Sequence, residues 1–533
     1  MKEKWIGFFP YPEPRPQQVE AINKIIGAWE AGKRFAVMEA GTGVGKSAIG
    51  LTVAKYITNN SLPKDGYEAG SHFLTTQKIL QEQYVSDFKR HGMLSIKSSA
   101  NYRCSYYKKN TCAESLRAVG NAEQGSAFWN ACAYNCNYKK AKRDYTDGKV
   151  GVTNFPYFLA ETTYSGKLNP RQVLITDECH NTEIQLSKFI EVSVSEKFSK
   201  QLLKLDIPLV KTQHQAFSWL KDVYGPKLFS HVKHMKGMLA KYTGLKDKIQ
   251  EFQSIARQFE MLDKHACKLE RFLQIYDKDN WIFNDNPADD KKSRRLEFKP
   301  IDVAPYANDM LFKFGSFNIL MSATIISQDN FCELLGIDVA EAEFVRMPSP
   351  FPLENRPVVY SGVGKMSAND INFTLPKLKA AVETILQAHS GEKGIIHCHS
   401  YKIAWYLKKN IRSSRLLIHD SDNRDQVLSK HQKSKNATVL LSPSMTEGVD
   451  LKDDLSRFQI ICKVPFPYLG DKLIRKKMNK WRWWYDLQTA KTIIQSVGRS
   501  VRSDTDSAVT YILDSSWERF YGKNKRLFGP EFG

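Results

Sequence analysis

The octapeptide Ala40-Gly41-Thr42-Gly43-Val44-Gly45-Lys46-Ser47 constrains this 533-residue chain more than any other feature. It follows an apolar run, Phe35–Glu39, that reads as a strand, and it opens a stretch of helical periodicity from about Lys46 to Ile57. Where a strand turns into a helix through glycines, successive backbone N–H groups and the positive helix end converge on one point that suits phosphate oxygens. Lys46 is then placed to neutralise β- and γ-phosphates, and Ser47 to ligate Mg²⁺. Ala40 stands where the usual pattern has its first glycine, but Gly43 and Gly45 preserve the turn. A glycine-rich turn without a ligand is the plain alternative, and the flanking strand and helix weigh against it.

A loop of this kind belongs at the edge of a parallel sheet, and the chain supplies the strands. Runs at His72–Thr76, Gln172–Asp177 and Phe317–Thr324 are continuously apolar, as strands buried on both faces are. Met347-Pro348-Ser349-Pro350-Phe351-Pro352 reads as a linker, after which strand and helix patterns alternate again. Strands are expected there at Gly394–His397, Thr438–Ser442, Gln459–Lys463 and Ala508–Leu513. From about Pro208 to Asp279 the texture changes. Ile249, Phe252, Ala256, Phe259, Leu262, Ala266, Leu269 and Leu273 recur every three or four residues, as one long amphipathic helix within a helical insertion.

Asp177 and Glu178 terminate the run Val173-Leu174-Ile175-Thr176, which puts both carboxylates at the sheet edge that holds the phosphate loop. Asp177 would hold Mg²⁺ through its water shell, and Glu178 would orient or deprotonate the attacking water. An isolated Asp-Glu pair is an ordinary solvated strand end; beside a phosphate loop it makes a hydrolysis site. Near the C-terminus, Gln495-Ser496-Val497-Gly498-Arg499-Ser500-Val501-Arg502 spaces Arg499 and Arg502 to stabilise charge on a transferring γ-phosphate, or to form a plain basic helix face.

Four cysteines, Cys104, Cys112, Cys132 and Cys136, lie between the phosphate loop and Asp177-Glu178-Cys179-His180, with spacers of seven, nineteen and three residues. Such spacers can bring four thiolates around one metal centre, and the segment Lys97–Lys149 carries ten Lys/Arg against four Asp/Glu. A soft tetrathiolate site in a basic segment suggests contact with nucleic acid. Zinc and iron–sulfur chemistry both accept four thiolates, and the spacing matches the short-loop signature of neither. Cys267, Cys332, Cys398 and Cys462 are expected as buried fillers. His397-Cys398-His399 ends a strand, so its side chains alternate faces and read as core or loop residues rather than ligands.

The excess of 78 Lys+Arg over 57 Asp+Glu leaves a net charge of +21, a sequence-independent attraction for DNA or RNA. Nine cysteines, an odd number, argue for a reducing compartment. No signal-like or membrane-length apolar run is visible, and a cytoplasmic location is expected, in a bacterial cell or virus-infected host, or nuclear in a eukaryote. Trp481, Trp483, Trp484 and Tyr485 among Lys472, Arg475, Lys476, Lys477, Lys480 and Arg482 could stack bases or pack an insertion. The basic neighbours of Tyr102, Tyr106, Tyr107, Phe128 and Trp129 favour contact with a strand.

In order and spacing these motifs resemble the superfamily 2 helicases of the DinG/XPD iron–sulfur family, over essentially the whole chain. Arg15 and Gln18 resemble the adenine-contacting Q-motif, Ala40–Ser47 motif I, Thr75–Gln81 motif Ia, Asp177–His180 motif II and Ser322-Ala323-Thr324 motif III. Gly394–Tyr401 resembles motif IV, Glu447-Gly448-Val449-Asp450-Leu451 motif V and Gln495–Arg502 motif VI. The resemblance implies an α/β fold of two RecA-like, P-loop NTPase domains, with a cysteine-rich cluster insertion and a helical arch in the first. It places the first motor domain at 1–95, 151–207 and 286–346, the cluster domain at 96–150, the arch at 208–285 and the second motor domain at 347–533. It implies a [4Fe–4S] cluster on the four cysteines, with zinc as the alternative, and ATP and Mg²⁺ at a site including Arg15, Gln18, Ala40–Ser47, Asp177, Glu447, Gly448 and Asp450. Lys46, Asp177, Glu178, Gln495, Arg499 and Arg502 would carry hydrolysis. The expected activity is 5′→3′ translocation on single-stranded DNA with duplex unwinding. The expected partners are single-stranded and forked DNA, with RNA or R-loops as further substrates, the protein being a monomer off the membrane. The first ~10 residues leave no room for an appended nuclease domain, so none is expected. The other classes left open are a nucleic-acid-stimulated ATPase or translocase, and a redox-responsive nucleic-acid-binding module, neither separating strands.

Overall fold

A computed structural model describes residues 3–41, 43–116, 118–289, 292–420, 423–443, 451, 453–501 and 505–533, the side chain of Lys246 excepted. Its strands, in chain order, are β1 (Phe35–Ala40), β2 (Glu68–Thr75), β3 (Met93–Ser95), β4 (Val150–Asn154), β5 (Arg171–Asp177), β6 (Val192–Ser195), β7 (Trp281–Asn286) and β8 (Arg295–Pro300). There follow β9 (Gly315–Ser322), β10 (Ala342–Met347), β11 (Val358–Gly364), β12 (Gly394–His397), β13 (Leu416–Ile418), β14 (Val439–Ser442), β15 (Phe458–Ile461) and β16 (Val509–Asp514). The fold is α/β, as the apolar runs predict. The chain divides into two compact units. One comprises Met1–Met38, Lys46–Ser322 and Gln328–Val345; the other Glu39–Gly45, Ala323–Ser327 and Arg346–Gly533.

Seven strands form one sheet in the order β10-β1-β9-β5-β2-β4-β3. Its centre is parallel: Ile175 of β5 lies opposite Ile319 of β9 and Phe73 of β2, and Asp177 opposite Met321. Every residue of β5 is buried, which explains why the run carries no polar alternation. Because β5 and β9 run parallel and end together, Asp177 and Ser322 finish at one edge. The helix Lys46–Asn60 packs against β2 and β5, burying Ile49, Leu51, Val53 and Ile57.

The stretch expected as a helical insertion contains two long helices, Gly225–Tyr242 and Ile249–Ile275, packed together across a six-residue connection as a helical hairpin. The longer one buries Phe252, Ala256, Phe259, Leu262, Ala266 and Leu269 as the periodicity predicts. It also buries Ile255 and Phe272, while Leu273 is only partly covered. At 3.6 residues per turn the apolar stripe drifts around a 27-residue helix, so its ends face slightly different neighbours. Beside the hairpin stands an antiparallel sheet, β6-β8-β7, in which Phe283 lies opposite Phe298. β7 runs through residue 285, the expected end of the arch.

The second unit holds a six-stranded parallel sheet, β11-β16-β15-β12-β14-β13. Ile396, Val439, Leu441, Phe458 and Ile460 fill one of its faces against helices that bury Leu378, Val382, Ile403 and Leu407. On the other face Ile461, Ile512, Trp517 and Phe520 pack with Ile493 and Ala490. Cys332, Cys398 and Cys462 are buried fillers as expected, and Cys267 is partly covered. His397 is buried on its strand. Among the described residues no helix is long and apolar enough to cross a membrane.

Candidate active site

The phosphate loop leaves β1 at Ala40 and enters the helix at Lys46, with Gly43 at φ 79° and Gly45 at φ 84°, backbone that only glycine adopts without strain. The segment read as a linker lies directly on this loop. A Cβ at Gly43 would stand 2.4 Å from the Phe351 ring, and one at Gly41 3.0 Å from Ser349. Phe351 in turn packs with Val501 and Ala508. Glu39, the single charge in an otherwise apolar strand, anchors the same region. Its Oε1 accepts the N–H groups of Ile325 (2.9 Å) and Ile326 (2.7 Å), and its Oε2 accepts Arg346 Nε at 2.7 Å. Ile326 sits at φ 69°, unfavourable for a β-branched residue, and the Glu39 carboxylate holds it there, just past Ser322-Ala323-Thr324. A carboxylate inside an apolar strand was a signal that sequence reasoning could have used.

At the end of β5 the Asp177 carboxyl is buried, and each of its oxygens accepts a hydrogen bond. Oδ1 accepts the Glu178 N–H at 2.9 Å, and Oδ2 accepts the Tyr84 hydroxyl at 2.9 Å. Burial, then the neighbouring Glu178 charge, pushes its pKa from 3.8 up to about 6, while Lys46 and Tyr84 pull it back. Tyr84 is also hydrogen-bonded to Ser47. Lys46, Ser47, Asp177 and Glu178, predicted from two motifs 130 residues apart, therefore do meet within one unit. Tyr84 was not foreseen, since an aromatic residue in an amphipathic helix looks like core. Glu178 takes a left-handed backbone, φ 52°, a strained turn of the kind that clusters at functional sites. His180 Nδ1 lies 2.6 Å from Ser322 Oγ and 3.3 Å from Glu178 Oε2, joining motif II to motif III.

Gln18 is buried and its Oε1 accepts the Arg15 N–H at 2.8 Å, which caps the helix Pro16–Glu30. Gln495 is buried, and its Nε2 has no hydrogen-bond partner among the described residues, an orphan donor that calls for a ligand or water. Arg499 is partly exposed at the end of the helix Trp484–Val497. Thr42, Glu447, Gly448, Asp450 and Arg502 lie outside the described residues.

Comparison with known proteins gives matches along most of the chain. Residues 11–206 match the family "Type III restriction enzyme, res subunit" and residues 382–526 the family "Helicase C-terminal domain". "ATP-dependent DNA helicase YoaA" of Escherichia coli (strain K12) is 23% identical over 96% of this chain and 92% of its own length. A "Probable ATP-dependent helicase" of Methanocaldococcus jannaschii is 20% identical over 99% of this chain and 95% of its own. A solved XPD helicase superposes with a TM-score of 0.63 at 16% identity, covering 97% of this chain and 99% of that one. These matches support a superfamily 2 helicase of the DinG/XPD-like kind.

In this DinG/XPD-like chain the four cysteines are all buried and free. Cys112 Sγ and Cys136 Sγ are 3.6 Å apart, the Tyr107 N–H points to Cys104 Sγ at 3.3 Å, and Cys132 is close enough to feel Cys104 and Cys136 electrostatically. Sharing a hydrogen bond with Cys112 and accepting the Tyr138 and Lys139 N–H groups brings the Cys136 thiol down to about 6; the same contact drives Cys112 up. Burial raises Cys132 to about 12. Among the described residues, however, no three His, Cys, Asp or Glu side chains are grouped tightly enough to hold one metal ion. The expected ligand set is thus a neighbourhood of thiols rather than a preformed ion site. Asn110, between Cys104 and Cys112, is fully buried, and neither end of its side-chain amide is hydrogen-bonded among the described residues.

One expectation about aromatic residues needs correction, and another pair of alternatives is decided for packing. Tyr107 and Phe128 do not face solvent for a strand: they are buried, and Tyr107 stacks on Phe252 of the long helix at 4.3 Å. The Tyr107 hydroxyl accepts the Gly244 N–H at 3.0 Å and Arg257 pairs with Glu114 at 3.1 Å, so these contacts dock the cysteine segment onto the hairpin. Trp481 and Trp484 are likewise buried, under Lys480 and Lys477 respectively. Tyr468, next to the helix Lys472–Lys480, is by contrast 79% accessible.

Proposed function

We propose that this chain is an ATP-dependent DNA helicase that moves 5′→3′ on a single strand and separates duplexes or forks. The observation that carries the reading is the meeting of Lys46, Ser47, Asp177 and Glu178 at one edge of a parallel sheet. A relative matched over nearly its whole length and named an ATP-dependent DNA helicase supports it. Backbone N–H groups of residues 40–47 would cradle the phosphates, with Lys46 neutralising their charge. Ser47 and Asp177 would hold Mg²⁺, and Glu178, half-exposed beside them, would orient the attacking water. The orphan Nε2 of Gln495 suits a γ-phosphate oxygen, with Arg499 and Arg502 stabilising the charge that develops there. Arg15 and Gln18 would meet the adenine, and Glu447, Gly448 and Asp450 would complete motif V.

Four buried thiols, and an Asn110 side-chain amide with no partner among the described residues, suit a thiolate-liganded group. We assign to Cys104, Cys112, Cys132 and Cys136 the ligation of a [4Fe–4S] cluster rather than zinc. When bound, such a group would fold a segment too polar to fold alone. The net charge of +21, exposed Tyr468, and the exposed Lys472, Arg475, Lys476 and Lys480 of the helix that follows it suit single-stranded DNA, whose phosphates need cations and whose bases need a stacking face. The protein would act as a soluble monomer in the cytoplasm.

Lys46→Ala tests the reading, and DNA-stimulated ATPase should be lost. With wild-type protein, 5′-tailed duplexes should unwind in preference to 3′-tailed ones. ATPase without strand displacement on either tail would replace the helicase with a translocase.

A further inference from the structure

Tyr84 lies in the helix Lys78–Phe88, between the nucleotide site and the start of the cysteine segment. It is 4% exposed, its ring held against Phe73 at 5.7 Å and Phe88 at 5.9 Å. Its single proton goes to Asp177 Oδ2, while its oxygen is shared with the Ser47 hydroxyl. Both proposed Mg²⁺ ligands are thus tied to one phenol. The second Asp177 oxygen is fixed by the Glu178 N–H, so removing Tyr84's proton donor frees the carboxyl to rotate about a single remaining bond.

The helix that carries Tyr84 is itself anchored on both flanks. Gln81, fully buried, donates to Ser95 Oγ (2.7 Å) and Ile96 O (2.8 Å) and accepts from Asn154 Nδ2 at 3.3 Å. Lys78 reaches Asn101 at 2.7 Å and Lys97 pairs with Glu82 at 2.6 Å, both at the threshold of Cys104. One rigid element therefore joins that threshold to the Asp177 carboxyl. A partner that fixes a metal ligand through a hydrogen bond commonly governs metal affinity nearly as strongly as the ligand itself.

We propose that Tyr84 is a positioning residue that presets the Asp177 carboxylate and Ser47 for the divalent cation of the nucleotide complex, from a helix braced against the cysteine segment. This rests on the nucleotide-site reading above. Tyr84→Phe keeps the ring and removes only the hydroxyl. Mn²⁺ binding in the presence of ADP, read from the loss of the free-ion EPR signal, should weaken about 10-fold in Y84F. ADP affinity in EDTA and the melting temperature of the unliganded protein should stay as in wild type. Asp177→Asn, run alongside, should abolish the metal-dependent signal. Y84F binding Mn²⁺ like wild type while D177N does not would overturn the positioning role and leave the nucleotide site standing. Wild-type-like Mn²⁺ binding in D177N would overturn both. An equal loss of ADP binding in EDTA would mark Tyr84 as general packing and also overturn the proposal.

Discussion

Asp177 carries its carboxyl into a place where burial outweighs Lys46 and Tyr84, and the consequence is a pH dependence with a definite sign. The folded value of about 6 lies above the ordinary 3.8. The contribution of this group to the stability of the unliganded fold is therefore fully present below about pH 4 and is lost as pH rises through about 6. A cation bound to the ionised form reverses that loss. The rise in melting temperature produced by Mg²⁺ and ADP should be small near pH 5, grow as pH passes 6, and level off near pH 7; in Asp177→Asn it should be small throughout. A thermal-shift series in pH reads this directly. Lys46, Ser47, Asp177 and Glu178 were legible because phosphate chemistry fixes residue types at short spacing along a strand and a turn. Tyr84 was not, because it meets Asp177 across 93 residues. Nor was Glu39, whose partners Ile325 and Ile326 are 286 and 287 residues away.

At the scale of elements, the long helix Ile249–Ile275 announced itself through its apolar period, but what it packs against did not. Phe252, counted as one more core position of a helical insertion, is the ring on which Tyr107 of the cysteine segment stacks. Phe252→Ala should cost about 3–5 kcal/mol of local stability. Hydrogen exchange should show lost protection both in the hairpin and around Tyr102–Leu116, whereas β5 and the helix Lys46–Asn60 should keep theirs. Loss confined to the hairpin would show that the docking contact carries no stability. The sheet β6-β8-β7 was missed for a related reason. Four- and six-residue strands in antiparallel pairing leave a faint alternation that 85 intervening residues separate, from Ser195 to Trp281.

For the whole molecule, the four cysteines sit in a segment joined to the motor sheet through Lys97, Asn101 and Gln81, and to the hairpin through Tyr107 and Glu114. Cys132→Ser should abolish visible cluster absorbance and reduce strand separation more than ATP hydrolysis; equal loss of both would make the segment a purely structural brace. What the sequence determined by itself was local and periodic. The phosphate turn, the carboxylates at a strand end, buried parallel strands and the amphipathic helix each follow from sterics or burial over a few residues. Motif order added the two-body α/β architecture. Only the tertiary structure decided which aromatic residues are packing and which are exposed, that Phe351 and Ser349 lie on the phosphate loop, and that Tyr84 and Glu39 hold its neighbours. Those choices depend on contacts between residues far apart in the chain, and no local pattern records which of several suitable side chains will meet.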